Sequence, residues 1–131
     1  MAQVSPTFAP WVAELGLQLL QVSATQARFS WPQAEQVQLR GGPGVGVTCG
    51  QAIAAVADTA CVLALTGANE RFRNCTTVEM SVRFMRPLTG TAEVVVDIES
   101  NGQKLAVCRV SVRGSGKVAA LAMATFMYLE A

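Results

Sequence analysis

The stretch TCGQAIAAVADTACVLALTG, residues 48–67, decides the fold. Thr48 and Gln51 have the spacing of a capping box, with a hydroxyl at the N-cap and an amide three residues on. A helix is therefore expected from about Cys49 to Thr66, with Gly67 as its stop. Ile53, Val56, Ala60 and Leu63 cover one arc of that helix, and Ala54, Cys61, Val62 and Leu65 cover another. A helix that is apolar all round is expected to be buried on all sides. Its single charge is Asp58. An unpaired buried carboxylate is costly, so Asp58 must be paired, hydrogen-bonded or neutralised.

On the N-terminal side, a short helix is expected from near Pro6 to Leu15, stopped by Gly16. Leu17–Gln21 and Thr25–Trp31 read as a hairpin, closed by Trp31-Pro32. The run containing Gly41, Gly42, Pro43, Gly44 and Gly46 reads as a loop. It lacks the Gly-Lys-Ser/Thr ending of a phosphate loop. On the C-terminal side everything reads as β. Along Cys75–Met85, Val78, Met80, Val82 and Phe84 fall on one face and Thr77, Glu79, Ser81 and Arg83 on the other, until Pro87 ends the run. Thr91–Glu99 and Lys104–Arg113 also alternate, joined at Asn101-Gly102, which has the signature of a type I′ turn. Gly114-Ser115-Gly116 turns the chain again. Val118–Leu129 is apolar on both faces, as in a central strand covered on both sides. A helix, a hairpin, a long buried helix and four antiparallel strands imply an α+β architecture, with sheet wrapped around one helix.

The 131 residues suit one domain, 1–131. Apolar residues make up 51% and charged residues 15%, which points to surface buried between subunits. The net charge of +1, with no basic stripe, gives no support for a nucleic-acid partner. The apolar run Ala52–Leu65, interrupted by Asp58, reads as too short for a membrane span. The first residues do not read as a signal peptide, so a cytoplasmic protein is expected. Cys49, Cys61, Cys75 and Cys108 show no metal-ligand spacing and are expected as reduced packing thiols. The chain has no histidine, which excludes Ser-His-Asp and Cys-His nucleophile systems and any His-containing zinc site. A general base would then be a carboxylate before a lysine or tyrosine.

Three stretches carry a resemblance: Cys49-Gly50-Gln51 followed by Val56-Ala57-Asp58-Thr59-Ala60; Thr77-Val78-Glu79-Met80 leading to Phe84-Met85-Arg86-Pro87; and Asn101-Gly102-Gln103-Lys104-Leu105 with the final strand ending in Thr125-Phe126. Together they resemble the hotdog-fold thioesterase superfamily, in particular its phenylacetate-pathway (PaaI-like) acyl-CoA thioesterase branch. The resemblance implies a hotdog fold, an acyl-CoA substrate, no cofactor and no metal. Members carry His-Gly-Gly at the start of the central helix and an acidic residue nine positions after the His. Cys49 stands at the His position, Gly50 matches the first Gly, Gln51 replaces the second, and Asp58 falls on the catalytic carboxylate. The resemblance gives Gly50 the role of polarising the thioester carbonyl through its backbone N–H. Thr77 resembles a Ser or Thr that sits near the water nucleophile in some relatives. An Asn six residues before the His would fall at Pro43, so this chain lacks it. Gln51, Thr48 and Thr77 are the polar candidates to orient substrate and water in place of the missing His and Asn.

Thioester hydrolysis needs a base or nucleophile and donors for the developing oxyanion. A helix N-terminus supplies the donors, because its first N–H groups lack partners and its dipole favours negative charge. Asp58 would act as general base on water or as a nucleophile forming a mixed anhydride. Gly50 and Asp58 lie eight residues apart, roughly 12 Å along a helix, too far to share one carbonyl. A composite site is expected, with Gly50 from one subunit and Asp58 from its two-fold mate, in a homodimer assembling into a homotetramer. Arg83 and Arg86 are candidates for the phosphates of CoA, and Cys49 reads as a packing residue. Trp11, Trp31, Phe8 and Phe72 read as ordinary core. The alternative reading is a non-catalytic hotdog protein that binds acyl-CoA or another apolar ligand. A dehydratase or hydratase is disfavoured by the missing histidine.

Overall fold

The structure is a computed structural model describing residues 10–40 and 46–130. The part of the first helix before Pro10, Phe8, and the loop residues Gly41, Gly42, Pro43 and Gly44 lie outside the described residues. The elements are α1 (Pro10–Ala13), β1 (Gln18–Val22), β2 (Gln26–Trp31), a 3-10 turn (Glu35–Val37), α2 (Gly50–Asn69), β3 (Cys75–Phe84), β4 (Ala92–Asn101), β5 (Leu105–Gly114) and β6 (Lys117–Tyr128). The six strands form one antiparallel sheet in the order β1-β2-β4-β5-β6-β3. The helix α2 lies across the sheet and touches every strand. This is the α+β hotdog arrangement that the resemblance implies.

Period-two patterning builds the inner layer. Val94 and Val96 of β4, Cys108, Val110 and Val112 of β5, and Ala120, Ala122, Ala124 and Phe126 of β6 are all buried. They meet Ile53, Val56, Ala60, Cys61, Ala64 and Leu65 of α2. Each large apolar side chain fully buried contributes about 1.5–3 kcal/mol, so this interface dominates the fold. The three alanines of β6 leave room for the helix to lie close. Trp31 donates its indole N–H to Leu15 O at 2.8 Å, fastening the N-terminal segment to β2. Gly16 adopts φ 78°, as expected of a helix stop.

The boundaries of α2 differ from the sequence reading. Cys49, not Thr48, is the N-cap, and its side chain makes no capping hydrogen bond. The Thr48 N–H donates instead to Leu88 O at 2.9 Å, and Thr48 bridges Gln38 as an isolated β pair, which holds it in extended backbone. At the other end the helix passes Gly67 and closes on Glu70, which adopts φ 58° and donates its N–H to Gly67 O. Gly67 is a packing residue: a Cβ there would lie 2.3 Å from Val22 Cγ2. The helix is also not buried on every side, since Ala54, Ala55, Asp58, Val62 and Leu63 are only partly covered. With 20 residues it is long and apolar enough to cross a bilayer, unlike the shorter run Ala52–Leu65, but in this fold it is the core helix.

Two turns behave differently. Ser115 and Gly116 have φ 53° and 77°, the pair of positive values that a type I′ turn requires. Neither Asn101 nor Gly102 has a positive φ, so no type I′ turn forms there. Asn101 ends β4, and its amide is committed elsewhere: its Oδ1 accepts from Tyr128 OH at 2.7 Å and its Nδ2 donates to Asn69 Oδ1 at 3.0 Å. The strand β6 is covered on one side only, because its outward residues Leu121, Met123 and Met127 stay exposed.

Candidate active site

The N-terminal end of α2 is held by its approach. Cys49 N–H donates to Val37 O at 2.7 Å and Thr48 N–H to Leu88 O, so the chain is pinned on two sides before the helix begins. The first helical bond runs from Ile53 N–H to Cys49 O. The amides of Gly50, Gln51 and Ala52 precede it and have no acceptor within the helix. With no side-chain cap from Cys49, they make an oxyanion-type donor set backed by the helix dipole. Gln51 is exposed beside this end, while Thr48 is buried and Cys49 and Gly50 are half-buried. The Phe84 ring lies against Gly50, with Cε1 and Cζ 3.4 Å from the position a Gly50 Cβ would take.

Asp58 is two turns further on, half-buried, at the side of α2 that faces β3. Thr77 Oγ1 donates to Asp58 Oδ1 at 2.7 Å. Simple alternation puts Thr77 on the face opposite Met80, Val82 and Phe84, and the structure corrects this. The β3–β6 register pairs Thr77 with Phe126 and Glu79 with Thr125, so Val78 is the extra residue of a β-bulge. The bulge brings Thr77 to the same face as Met80, Val82 and Phe84, which pair with the buried Ala124, Ala122 and Ala120. Val78 leaves that face and is 49% exposed. One added residue thus aims a hydroxyl at a carboxylate.

The local field is negative. Burial first, and then the Asp58 charge, pushes the Cys75 thiol above its ordinary range. Cys61 is pushed up further, by its hydrogen bond with Cys108 first, then by burial, with Asp58 contributing. Both thiols stay protonated near neutral pH, so neither is an activated nucleophile. All four cysteines are unpaired. Among the described residues, no cation forms an ion pair with Asp58, and no group of three His, Cys, Asp or Glu is placed to hold a metal ion.

The structure brings Asp58 and Thr77 together, and it gathers Thr48, Cys49, Gly50 and Gln51 at the helix start. It does not bring the two groups to each other within one chain. Arg86 follows β3, two residues after Phe84, and donates from Nη1 to Val118 O at 2.8 Å. Three clefts of about 460, 340 and 310 Å³ are lined by residues other than Asp58, Gly50 and Thr77. Asp58 instead lies beside β3, an edge strand of the sheet. Phe84, against Gly50, is the neighbour that sequence reasoning missed as a site residue. Its alternating position marked it as apolar and inward, and nothing in the sequence marks its contact with the helix start.

Residues 46–119 match the family model of the thioesterase superfamily. No curated protein matches the chain in sequence. Among solved structures, the chain superposes with TM-score 0.80 on a conserved protein from Pseudomonas aeruginosa, at 24% identity over 93% of this chain and 95% of that one. A protein from Ralstonia eutropha, described as phenylacetic acid degradation-related, gives TM-score 0.78 at 24% identity over 92% of each chain. The PaaI protein from the phenylacetic acid degradation operon of E. coli gives 0.79 at 17% identity, over 93% of this chain and 86% of that one.

Proposed function

Because the chain belongs to the thioesterase superfamily, we propose that it hydrolyses an acyl-CoA thioester to the free acid and CoA. Asp58 is the base or nucleophile, and the Gly50 end of α2 polarises the carbonyl. The observation that carries this reading is the 2.7 Å hydrogen bond from Thr77 to Asp58, on a carboxylate without a cationic partner among the described residues. A structural carboxylate would be neutralised by an arginine or spent on backbone donors. Asp58 has one oxygen fixed by a hydroxyl, and the other has no hydrogen-bond partner among the described residues.

In the base mechanism, Asp58 takes a proton from water as the water oxygen bonds to the acyl carbon. The oxyanion is held by the free amides of α2, and the C–S bond then breaks to release CoA thiolate, which takes up a proton. In the nucleophile mechanism, an Asp58 oxygen attacks first, CoA leaves, and water hydrolyses the mixed anhydride. Both need the amides and the carboxylate at one carbonyl. Two copies meet this need by pairing antiparallel along the free edge of β3. An axis near the middle of that strand sets the Thr77 end of one copy beside the Phe84 end of the other. Asp58 then approaches the Gly50 amide of the second copy. Arg86 lies beyond the Phe84 end of β3, where its guanidinium would be offered to the phosphates of CoA. The four unpaired cysteines favour a reducing, cytoplasmic setting.

The test is thiol release from a panel of acyl-CoAs. Asp58→Asn is expected to lower kcat by about 10²–10⁴ while the fold is kept, as for removal of a general base. Gly50→Ala puts a methyl at ordinary contact with the Phe84 ring and is expected to stay folded and lose turnover. Full activity in Asp58→Asn would overturn the proposal. Cys49 at the position of the family's His supports the second reading, a binding protein without turnover; acyl-CoA binding with no thiol release across the panel would establish it.

A further inference from the structure

We infer that Phe84 is the residue that sets acyl-chain length at this site; the inference rests on the thioesterase reading above. Phe84 pairs with the buried Ala120 in the β3–β6 ladder, so its ring points to the helix side of the sheet. Two ring carbons stand 3.4 Å from where a Gly50 Cβ would be. The ring therefore stands about a methyl's width from Gly50, the first residue of α2. Even so, Phe84 is 54% exposed. A phenyl ring has 150–250 Å² to bury, as an order of magnitude, and this one covers part of that area on Gly50 and leaves the rest open at the β3 edge.

That placement determines what a substrate meets. A thioester carbonyl that accepts from the Gly50 amide has its oxygen about 3 Å from that nitrogen. The carbons attached to that carbonyl then lie within van der Waals reach of the open ring face. The ring carries no polar atom, so it also keeps water from the oxyanion, where a drier setting strengthens the amide hydrogen bonds. The gap between the ring and Gly50 holds no more than a methyl, so the acyl chain must run along the ring instead of behind it. The ring thereby takes up room along the path of the acyl chain, and shortening the side chain opens room for longer ones.

The experiment compares wild type, Phe84→Leu and Phe84→Ala over straight-chain acyl-CoAs from two to twelve carbons. Thiol release gives kcat/KM, and calorimetry with the matching non-hydrolysable alkyl-CoA thioethers gives affinity. One methylene in an apolar pocket is worth about 10–200-fold. The ratio of twelve-carbon to four-carbon kcat/KM is therefore expected to rise by at least about tenfold in Phe84→Ala, with Phe84→Leu between. A loss of equal size at every length, or an unchanged length profile, would overturn the inference, since a purely structural role lowers all substrates together. If wild type turns over no thioester, the thioesterase reading fails by itself, and the thioether affinities still decide Phe84: a shifted length profile upholds its role. An unshifted profile, or no binding at all, removes it.

Discussion

Asp58 was legible in the sequence because it is a lone carboxylate in an apolar helix, nine residues after Cys49. Its partner was only half legible. Thr77 was picked out by resemblance, yet alternation assigned it to the wrong face, since a bulge changes the count by one and leaves no mark in a period-two pattern. The charge at Asp58 can be read from a neighbour. Burial, and then the Asp58 carboxylate, raises the Cys75 thiol, so at a given alkaline pH less Cys75 is thiolate than for a free cysteine. Replacing the negative charge by the neutral amide in Asp58→Asn removes the second cause and leaves the first. The pH midpoint for iodoacetamide alkylation of Cys75, followed on its own peptide by mass spectrometry, is expected to fall in the variant while staying above that of a free thiol. An unchanged midpoint would remove Asp58 as a cause of the Cys75 shift. The variant then tests charge apart from turnover.

The elements were legible in type and order, and less so in their ends. Apolar patterning found α2 and all six strands, because burial of a continuous inner face is an additive signal over many residues. Termini depend on single hydrogen bonds. Thr48 has the right chemistry for an N-cap, but Leu88 O takes its N–H and its bridge to Gln38 holds it extended. Gly67 has the right chemistry for a stop, but its role is to admit Val22: a Cβ would sit 2.3 Å from Val22 Cγ2. Gly67→Ala therefore sets a small gain in helix propensity against overpacking, and overpacking wins at about 1–3 kcal/mol. Thermal unfolding is expected to show a Tm several degrees lower, and Val22→Ala added to it should recover part of the loss, because the two side chains compete for one space. Equal or raised stability of Gly67→Ala alone would show that β1 yields freely to α2.

At the scale of the whole molecule, the excess of apolar residues in the composition now has two locations. One is the free edge of β3, where Val78 and Phe84 stand about half exposed and where antiparallel pairing with a second copy would complete the site. The other is the outward row of β6, Leu121, Met123 and Met127, joined by Leu105 of β5, which pairs with Met127. The strand β6, apolar on both faces in sequence, has one face bare in the single chain, and an obligate interface is the usual cover for such a row. The two surfaces lie in different directions, one along the sheet and one normal to it, so using both gives a dimer of dimers. They also differ in what they serve. The β3 edge carries Thr77 and Phe84, whereas the outward row is separated from Asp58 by the thickness of the sheet. We propose that both surfaces are used; on that proposal the wild type gives tetramers by light scattering, and Met123→Lys, at a residue 43% exposed in the chain, is expected to give dimers while thiol release per subunit is retained. Tetramers that persist in the variant would move the second interface elsewhere. A wild-type protein that is fully active as a monomer would remove the need for two copies at the carbonyl, and with it the division of labour between Gly50 and Asp58.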